Sequence, residues 1–489
     1  MISLEVNGKA RRNNIQRCRE RNIIIPSFHQ MKNPESVPEK IRQSLKQTAM
    51  KDIDPLNLFR ITWKNEPKEK GGLFSGVNYL EFPEELTGVK ARIIALLGKW
   101  FPIGAHKVGA AFGCLVPRLV TGNFDSTWQK AVWPSTGNYC RGGAFNSALL
   151  GCQSIAILPE GMSIERFKWL KNLSGEVIAT PGSESNVKEI FDKCRELKKE
   201  RPEAVIFNQF DEPGNYLWHY DVTGSAISEL FETLKKKNNR LNIAAFVSST
   251  GSAGTIAAGD CLKDRYPSLK IAATEALQCP TILMNGFGSH RIEGIGDKHI
   301  PWIHNVRNTD LAVDIDDNAC ISLFRLFNEP LGREFLIKEG IPSDLVMKLK
   351  LSGISGIANL LSAIKISRYY ELSENDVIFT VLTDSADLYN SRIRELRASE
   401  GEFTLREASR AFDTYLTPSM DISYVKELNY YDRKKIHNLK YFTWVEQQGK
   451  SPDELNLQWY DAEYWNSIKR QAHEIDRLIE DFNKEVACI

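Results

Sequence analysis

Lys107 is the residue whose type and position best suit covalent chemistry. It ends the segment PIGAHK (102–107) and opens a run of small residues, VGAA (108–111). A lysine in a loop that begins a small-residue helix stays close to the backbone, and burial lowers the pKa of an amine. Such an amine attacks carbonyl groups. Lys107 is therefore a candidate Schiff-base nucleophile, although a single lysine taken alone is more often a solvated surface residue.

Two further segments have the composition of anion-binding loops, because each follows an apolar run and precedes a helical pattern. The hydroxyl and backbone N–H groups of STGNY (135–139) suit a carboxylate at a helix start, although an ordinary helix cap uses the same residues. GSAGT (251–255) lies in a run of small residues whose successive amides can converge on one anion. It matches neither a Walker loop nor GxGxxG, and a flexible turn is the alternative. Its place between a strand and a helix favours anion binding.

A fourth polar segment, Thr383-Asp384-Ser385, follows the apolar run VIFTVL. The Ser385 hydroxyl has the chemistry to bind a ring nitrogen, and an ordinary turn is the alternative. The sequence does not determine whether Ser385 or Asp384 points inward.

The order of these segments resembles the pyridoxal-phosphate enzymes related to cysteine synthase, cystathionine β-synthase and the tryptophan synthase β chain. The resemblance covers about 91 to 400 and outweighs what each segment indicates alone. Its motifs are GAHK (104–107), STGN (135–138), ILPEGMSIERFKWLKNLSGEVIAT (157–180), GSAGT (251–255), EGIG (293–296) with IP (300–301), GISG (353–356) and TDS (383–385).

The resemblance implies pyridoxal 5'-phosphate as cofactor, held as a Schiff base, and it implies a set of site residues. The implied cofactor-binding residues are Lys107, Asn138, Gly251, Ser252, Ala253, Gly254, Thr255 and Ser385. The implied substrate-binding residues are Ser135, Thr136, Gly137, Asn138, Tyr139, Gly353 and Ser355. Lys107 is the implied catalytic residue, and no metal is implied.

The chain departs from the family pattern at positions that concern the second substrate. Val108-Gly109 stands where the family has Asp-Arg, and Tyr139 stands where it has a second threonine. No glutamate lies between 131 and 140, where a tryptophan synthase β chain keeps its acid. These differences argue against tryptophan synthesis.

We therefore predict a lyase or transferase that carries out β-elimination or β-replacement on a small, serine-like or cysteine-like amino acid. One alternative is an ammonia-lyase or dehydratase for a longer substrate, because Tyr139 and Trp133 reshape the substrate wall. Another is a non-catalytic subunit that binds the cofactor and uses its aromatic C-terminal stretch for assembly. The leaving group and the second substrate remain undetermined.

The elements that must position these loops are buried parallel strands alternating with helices. Eight apolar runs predict the strands: ARIIALL, KAVW, SIAILP, EVIAT, AVIFNQF, IAAFVSS, LKIAATEA and DVIFTVL. Such alternation predicts an α/β fold of open, mostly parallel sheets flanked by helices, with ligands at the carboxyl ends of the strands. The family implies two such sheets.

We predict four structural units along the chain. Residues 1–90 are an N-terminal extension, and 91–124 with 236–404 form a large cofactor-binding domain. Residues 125–235 form a small domain that carries the substrate loop. Residues 405–489 form a helical C-terminal extension with aromatic stretches at 441–448 and 457–465, which pack on the body or on a second subunit.

The composition favours a small-molecule partner. The net charge is +1, which gives no overall field for nucleic acid or an anionic membrane. No stretch approaches the roughly 20 apolar residues that span a bilayer. The nine scattered cysteines without a CxxC pair predict reduced thiols in the cytoplasm and argue against structural zinc. The family resemblance implies a homodimer.

Overall fold

The computed structural model describes residues 1–66, 72–135, 137–182, 187–417 and 422–487. In these ranges the strands form one seven-stranded and one four-stranded sheet. The strands are β1 (Tyr79–Phe82), β2 (Arg92–Leu97), β3 (Lys130–Pro134), β4 (Gln153–Pro159), β5 (Glu176–Thr180), β6 (Ala204–Ile206), β7 (Asn242–Ser249), β8 (Lys270–Ala276), β9 (Leu311–Ile315), β10 (Asp376–Leu382) and β11 (Val425–Glu427).

The larger sheet has the order β1-β2-β10-β7-β8-β9-β11. Its five inner strands are parallel, and the edge strands β1 and β11 are antiparallel to β2 and β9. The inner strands are buried on both faces, which is why their sequences are continuously apolar. The loops after β7 and β10 therefore emerge at the same edge of the sheet.

The smaller sheet has the order β5-β4-β3-β6 and is parallel throughout. The predicted fold of two mostly parallel sheets is confirmed, and each of the eight predicted runs contains a strand. The run AVIFNQF is a strand only over Ala204–Ile206. The apolar runs did not predict three strands: β1, β11 and β9, whose short LAVDI segment is fully buried.

The helices flank both sheets. They are α1 (Gly8–Glu20), α2 (Phe28–Lys32), α3 (Glu39–Gln47), α4 (Glu84–Thr87), α5 (Lys107–Thr121), α6 (Asn138–Leu149), α7 (Ile164–Lys171), α8 (Val187–Glu200), α9 (Pro213–Trp218), α10 (Gly224–Lys237), α11 (Ala257–Arg265), α12 (Thr281–Met284), α13 (Asp317–Asn328), α14 (Pro330–Lys338), α15 (Ser343–Lys348), α16 (Ile354–Tyr369), α17 (Asn390–Glu400), α18 (Leu405–Tyr415), α19 (Tyr430–Asn438), α20 (Pro452–Tyr460) and α21 (Ala462–Ala487). Two π-helical segments cover His219–Thr223 and Tyr441–Gln447.

Helix α5 is the central helix of the larger core. All of its residues except Lys107 and Arg118 are buried. It contacts α6 and α9, and also α1 and α21 from the two ends of the chain. The C-terminal stretch therefore packs on the body of the molecule, one of the two predicted placements. The four-unit division stays a prediction, and strands β1 and β11 join the larger sheet from outside residues 91–404.

Two further features concern thiols and membranes. The eight cysteines in the described ranges are buried and unbridged. No single helix there has the length and apolar character to cross a membrane, and one sharply bent pair, Ser343–Leu351 with Ile354–Tyr369, meets the criterion by length and composition only.

Candidate active site

Lys107, the described residues of the segment 135–139 (the carboxylate loop) and the segment 251–255 (the glycine-serine loop) meet at one cavity between the two sheets. Of the sequence-predicted residues, the cavity is lined by Lys107, Ser135, Asn138, Tyr139, Gly251, Ser252, Ala253, Gly254, Thr255 and Ser355. Thr136 lies outside the described residues. Gly137 is adjacent to the cavity but does not line it.

Lys107 is the first residue of α5 and the only one of the helix's first three residues that is not buried. Its Nζ donates to Ser252 Oγ at 2.8 Å and to Gln209 Oε1 at 3.3 Å. Gly104 precedes it with a φ of +71°, a left-handed conformation that turns the loop into the helix. The amine therefore lies directly against the glycine-serine loop.

The glycine-serine loop, Gly251–Thr255, runs from the end of β7 to α11, which begins at Ala257. No acceptor within the described part of the chain takes the backbone N–H groups of residues 251–255. Ala253 has a φ of +59°, and a Cβ on Gly254 would lie 2.0 Å from Asn215 Oδ1. Asn215 also donates to Ser252 Oγ at 3.0 Å. The loop is thus held in a tight, unusual conformation with several amides left for an anion.

His106 joins this loop to the end of β10. Its Nε2 lies 2.8 Å from Thr255 Oγ1 and its Nδ1 lies 3.2 Å from the Thr383 carbonyl. Burial, and secondarily the Lys107 charge, lower the pKa of His106 to about 3. The ring is therefore neutral, so Nδ1–H donates to the carbonyl and Nε2 accepts from the threonine hydroxyl.

The carboxylate loop is supported from behind by a polar network. Gly137 N donates to Ser135 Oγ at 2.9 Å. Asn138 begins α6; its Nδ2 donates to Asp384 Oδ2 at 2.6 Å, and its Oδ1 accepts from Arg141 Nη1 at 3.2 Å. The Asn138 amide is thus already bound on both of its atoms. The implied cofactor contact of Asn138 would therefore have to coexist with its bonds to Asp384 and Arg141.

Ser385 and Gly353 do not reach the cavity. The chain bends at Asp384, and the Ser385 hydroxyl is buried on the far side of this bend, lining a separate cavity with Arg141 and Trp169. A Cβ on Gly353 would lie 1.9 Å from Asp384 Oδ1, which places this glycine behind the loop. In the segment 383–385, Thr383 is the residue that lines the cavity, and its Oγ1 lies 2.8 Å from Ser355 Oγ.

Six polar residues that line the cavity were not among the predicted site residues: His106, Gln209, Ser249, Glu293, Asp297 and Thr383. Glu293 Oε1 accepts from Arg392 Nε at 2.6 Å, and Glu293 Oε2 forms an ion pair with Arg166 Nη1 at 2.6 Å. Burial raises the pKa of Asp297 to about 7, and the nearby Lys107 charge partly opposes this rise. Glu293 begins the flagged motif EGIG (293–296) and Asp297 lies between this motif and IP (300–301), so the sequence contained a signal for both.

The donor set fits a phosphate-bearing aldehyde. The amides of Gly251–Thr255 have no described protein acceptor and sit just before a helix start, which suits a phosphate dianion. A primary amine lies within hydrogen-bonding distance of the same loop and can condense with an aldehyde. No group of three or more histidine, cysteine, aspartate or glutamate side chains in the described ranges is arranged to hold a metal ion.

Comparisons with known proteins agree with this donor set. The family described as "Pyridoxal-phosphate dependent enzyme" matches residues 89–332. A cysteine synthase of Staphylococcus aureus is 30% identical over 261 residues, which are 53% of this chain and 75% of that protein. A cystathionine beta-synthase of Saccharomyces cerevisiae is 26% identical over 310 residues, which are 62% of this chain and 57% of that protein.

Solved structures show the same fold. An O-acetylserine dependent cystathionine beta-synthase from Helicobacter pylori aligns with a TM-score of 0.52 and 25% identity, over 64% of this chain and 94% of that one. A hydrogen sulfide-producing enzyme from Fusobacterium nucleatum aligns with a TM-score of 0.56 and 24% identity, over 72% of this chain and 97% of that one.

Proposed function

The chain belongs to the pyridoxal-phosphate dependent enzymes, and from this premise we propose that it binds the cofactor through Lys107 and catalyses β-elimination or β-replacement on a small amino acid. The observation that carries the proposal is the Lys107 amine, 2.8 Å from Ser252 Oγ in a loop whose amides have no described protein acceptor. An amine and a phosphate site in contact are what a lysine-linked phosphate cofactor requires.

The cofactor, when bound, supplies an electron sink for bond changes at the amino acid. The amides of Gly251–Thr255 would hold its phosphate, with Ser252 fixed by Asn215. Lys107 would then be the base that accepts the α-proton of the substrate, because its amine is directed into the cavity by Ser252 and Gln209. His106 is neutral and adds no competing positive charge.

The substrate carboxylate is assigned to the loop 135–139. The α6 start offers backbone N–H groups and a positive dipole end to an anion. The side-chain network of Asn138, Asp384 and Arg141 holds the loop from behind. Tyr139 lines this side of the cavity and packs against Trp133, and this bulky aromatic pair favours a small amino acid.

The polar groups at the end of β10 favour elimination and replacement over transamination. The cavity receives the neutral hydroxyl groups of Thr383 and Ser355, whereas Asp384 is bound to Asn138 and Tyr389 outside it. A neutral hydroxyl beside a pyridine nitrogen does not keep that nitrogen protonated, as a carboxylate would. The names of the similar cysteine synthases and cystathionine β-synthases support the same reaction class.

Replacing Lys107 by alanine tests the proposal. We expect Lys107→Ala to lose both the visible absorbance of the bound cofactor and turnover, while its circular dichroism spectrum is unchanged. The matched control is Lys338→Ala, at an exposed lysine with an i,i+4 partner on α14. Both proteins and the wild type are assayed with O-acetylserine, cysteine, serine and threonine.

Two results would contradict the proposal. One is a Lys107→Ala protein that retains the lysine-bound cofactor, because another amine would then hold it. The other is a wild-type protein whose absorbance does not respond to any of the four amino acids. The homodimer and the cytoplasmic location remain predictions from the sequence.

A further inference from the structure

Asp297 is a cavity residue that the proposed roles leave unused. It belongs to the segment between Ile292 and Pro301 and lines the cavity together with Lys107 and Phe210. It is buried, with 8% of its surface exposed. No hydrogen bond joins its carboxylate to another residue in the described ranges, whereas the other cavity carboxylate, that of Glu293, is bound by Arg166 and Arg392.

The segment that carries Asp297 is fixed against the glycine-serine loop. Gly296 N donates to the Thr250 carbonyl at 3.1 Å, and a Cβ on Gly251 would lie 2.6 Å from the Gly294 carbonyl. Thr281 Oγ1 donates to the Asp297 carbonyl at 2.9 Å. The backbone of Asp297 is thus held in place on the side of the cavity that Ser252 and Lys107 share.

Among the described residues, Lys107 is the one charged group that acts electrostatically on the Asp297 carboxyl. His106 and His299 are neutral, because burial lowers the pKa of each to about 3. His290 lies behind the segment and bonds the Gly296 carbonyl with its Nε2. Burial raises the pKa of the Asp297 carboxyl to about 7, so the group is protonated in a large fraction of molecules at neutral pH.

Resting on the function proposed above, we propose that Asp297 is the acid that protonates the β-substituent of the substrate as it leaves. The α-proton passes to Lys107 Nζ, the Cα–H electron pair forms a Cα=Cβ double bond, and the Cβ–X pair leaves on X. Asp297 gives its proton to X, so that HX departs and the carboxylate remains.

This role specifies the substrate class. Hydroxide leaves poorly unless it is protonated, and protonation also assists the less basic thiolate, whereas acetate and chloride leave as stable anions and need no acid. A cavity with a proton-bearing carboxyl is therefore suited to an amino acid with a β-hydroxyl or β-thiol group. An anionic β-substituent such as a phosphate ester would be repelled by the ionised fraction of Asp297.

The leaving group provides the test. With Asp297→Asn, we expect turnover of serine to fall at least about 100-fold, the lower range for a general acid, and turnover of cysteine to fall by a smaller factor, while turnover of β-chloroalanine changes less than about threefold. The control is Asp481→Asn, at an exposed aspartate on α21. Equal losses on all three substrates would assign Asp297 a structural role and overturn the proposal, as would a wild type that accepts β-chloroalanine or O-acetylserine but neither serine nor cysteine.

A second measurement needs no cofactor. In the protein stripped of cofactor, the Asp297 carboxylate should raise the pKa of the Lys107 amine, so Asp297→Asn should make Lys107 about tenfold more reactive toward acetic anhydride at a pH below that pKa. The modified lysine is quantified by mass spectrometry. Unchanged reactivity overturns the proposal, because the two groups would then not interact.

The two proposals fail differently. If the wild type binds no cofactor, or if Lys107→Ala still does, the proposed function fails. If the wild type binds cofactor and turns over β-chloroalanine, but Asp297→Asn behaves like wild type on serine and cysteine, only the role of Asp297 fails.

Discussion

At the end of strand β10, the side chains of three consecutive polar residues, Thr383, Asp384 and Ser385, have three different environments. Thr383 faces the cavity beside Ser355, Asp384 binds Asn138 and Tyr389, and Ser385 is buried on the other side of the bend. The local sequence does not distinguish these orientations, because all three residue types are common in a turn. The position of the chain bend decides which hydroxyl belongs to the site.

This difference gives a prediction for two neighbouring hydroxyl groups. We expect Thr383→Val to weaken cofactor binding by about 1 kcal/mol, or about fivefold, the usual value of one neutral hydrogen bond. Ser385→Ala, which removes a buried hydroxyl without a hydrogen-bond partner in the described chain, should leave the affinity unchanged within about twofold. Absorbance titration of the stripped proteins with cofactor measures both. If Ser385→Ala weakens cofactor binding more than Thr383→Val does, Ser385 and not Thr383 contacts the cofactor ring.

At the scale of elements, small residues of α5 determine how closely it packs. A Cβ on Gly109 would lie 2.1 Å from the Trp218 ring, and a Cβ on Gly113 would lie 2.4 Å from the Gly214 carbonyl. These contacts bring α5 against α9 and hold the helix end that carries Lys107. The position of the Lys107 amine therefore depends on the packing of glycines two and six residues further along the helix.

We expect Gly109→Ala to destabilise the protein by about 1–3 kcal/mol, because Trp218 is fully buried and has little room to move. The better helix propensity of alanine, about 1 kcal/mol, offsets only part of this cost. Gly8→Ala is the control, because its Cβ would meet only Arg12 Nη1 at 3.6 Å. Urea unfolding followed by circular dichroism measures both changes. Equal stability of the two variants would show that the α5–α9 contact adapts freely.

At the scale of the whole molecule, the two ends of the chain join beside α5. Asn483 of α21 donates to the Ile25 carbonyl at 2.7 Å and accepts from Ile25 N at 3.0 Å. Asp476 accepts from the N–H groups of Phe28 and His29 at the start of α2. Trp63 packs edge-on against Phe101 and lies near His106, which brings the N-terminal region to the back of the active site.

The Asp476 contact predicts a pH dependence of stability. Burial raises the pKa of Asp476 from 3.8 to about 6 in the folded protein, although the two N–H donors oppose the rise. Protonation therefore favours the folded state, and this contribution is present below about pH 4 and is lost as the pH rises through about 6.

Comparison with Asp476→Asn isolates this effect, because asparagine does not titrate. The thermal midpoint of the wild type, relative to the variant, should be higher at about pH 5 than at about pH 8. A constant difference across this range would mean that the carboxyl titrates alike in the folded and unfolded chains.

The sequence by itself determined the alternation of strands and helices and singled out loops that meet at the cavity. Both depend on residues a few positions apart: apolar runs make buried strands, and small or hydroxylated residues after them make anion-binding loops. The motif order was enough to identify the family and to single out Lys107 and Gly251–Thr255.

Only the tertiary structure decided which polar side chains face the cavity. Gln209 and Asp297, which lie more than 100 positions from Lys107 in the sequence, line the same cavity, as does Thr383, whereas Ser385 and Gly353 do not line it. These outcomes depend on a chain bend and on contacts between residues distant in sequence, which local patterns do not encode. The reaction class could therefore be predicted from the motifs. Asp297 as the proposed acid and Thr383 as the proposed contact of the cofactor ring could be recognised only in the folded structure.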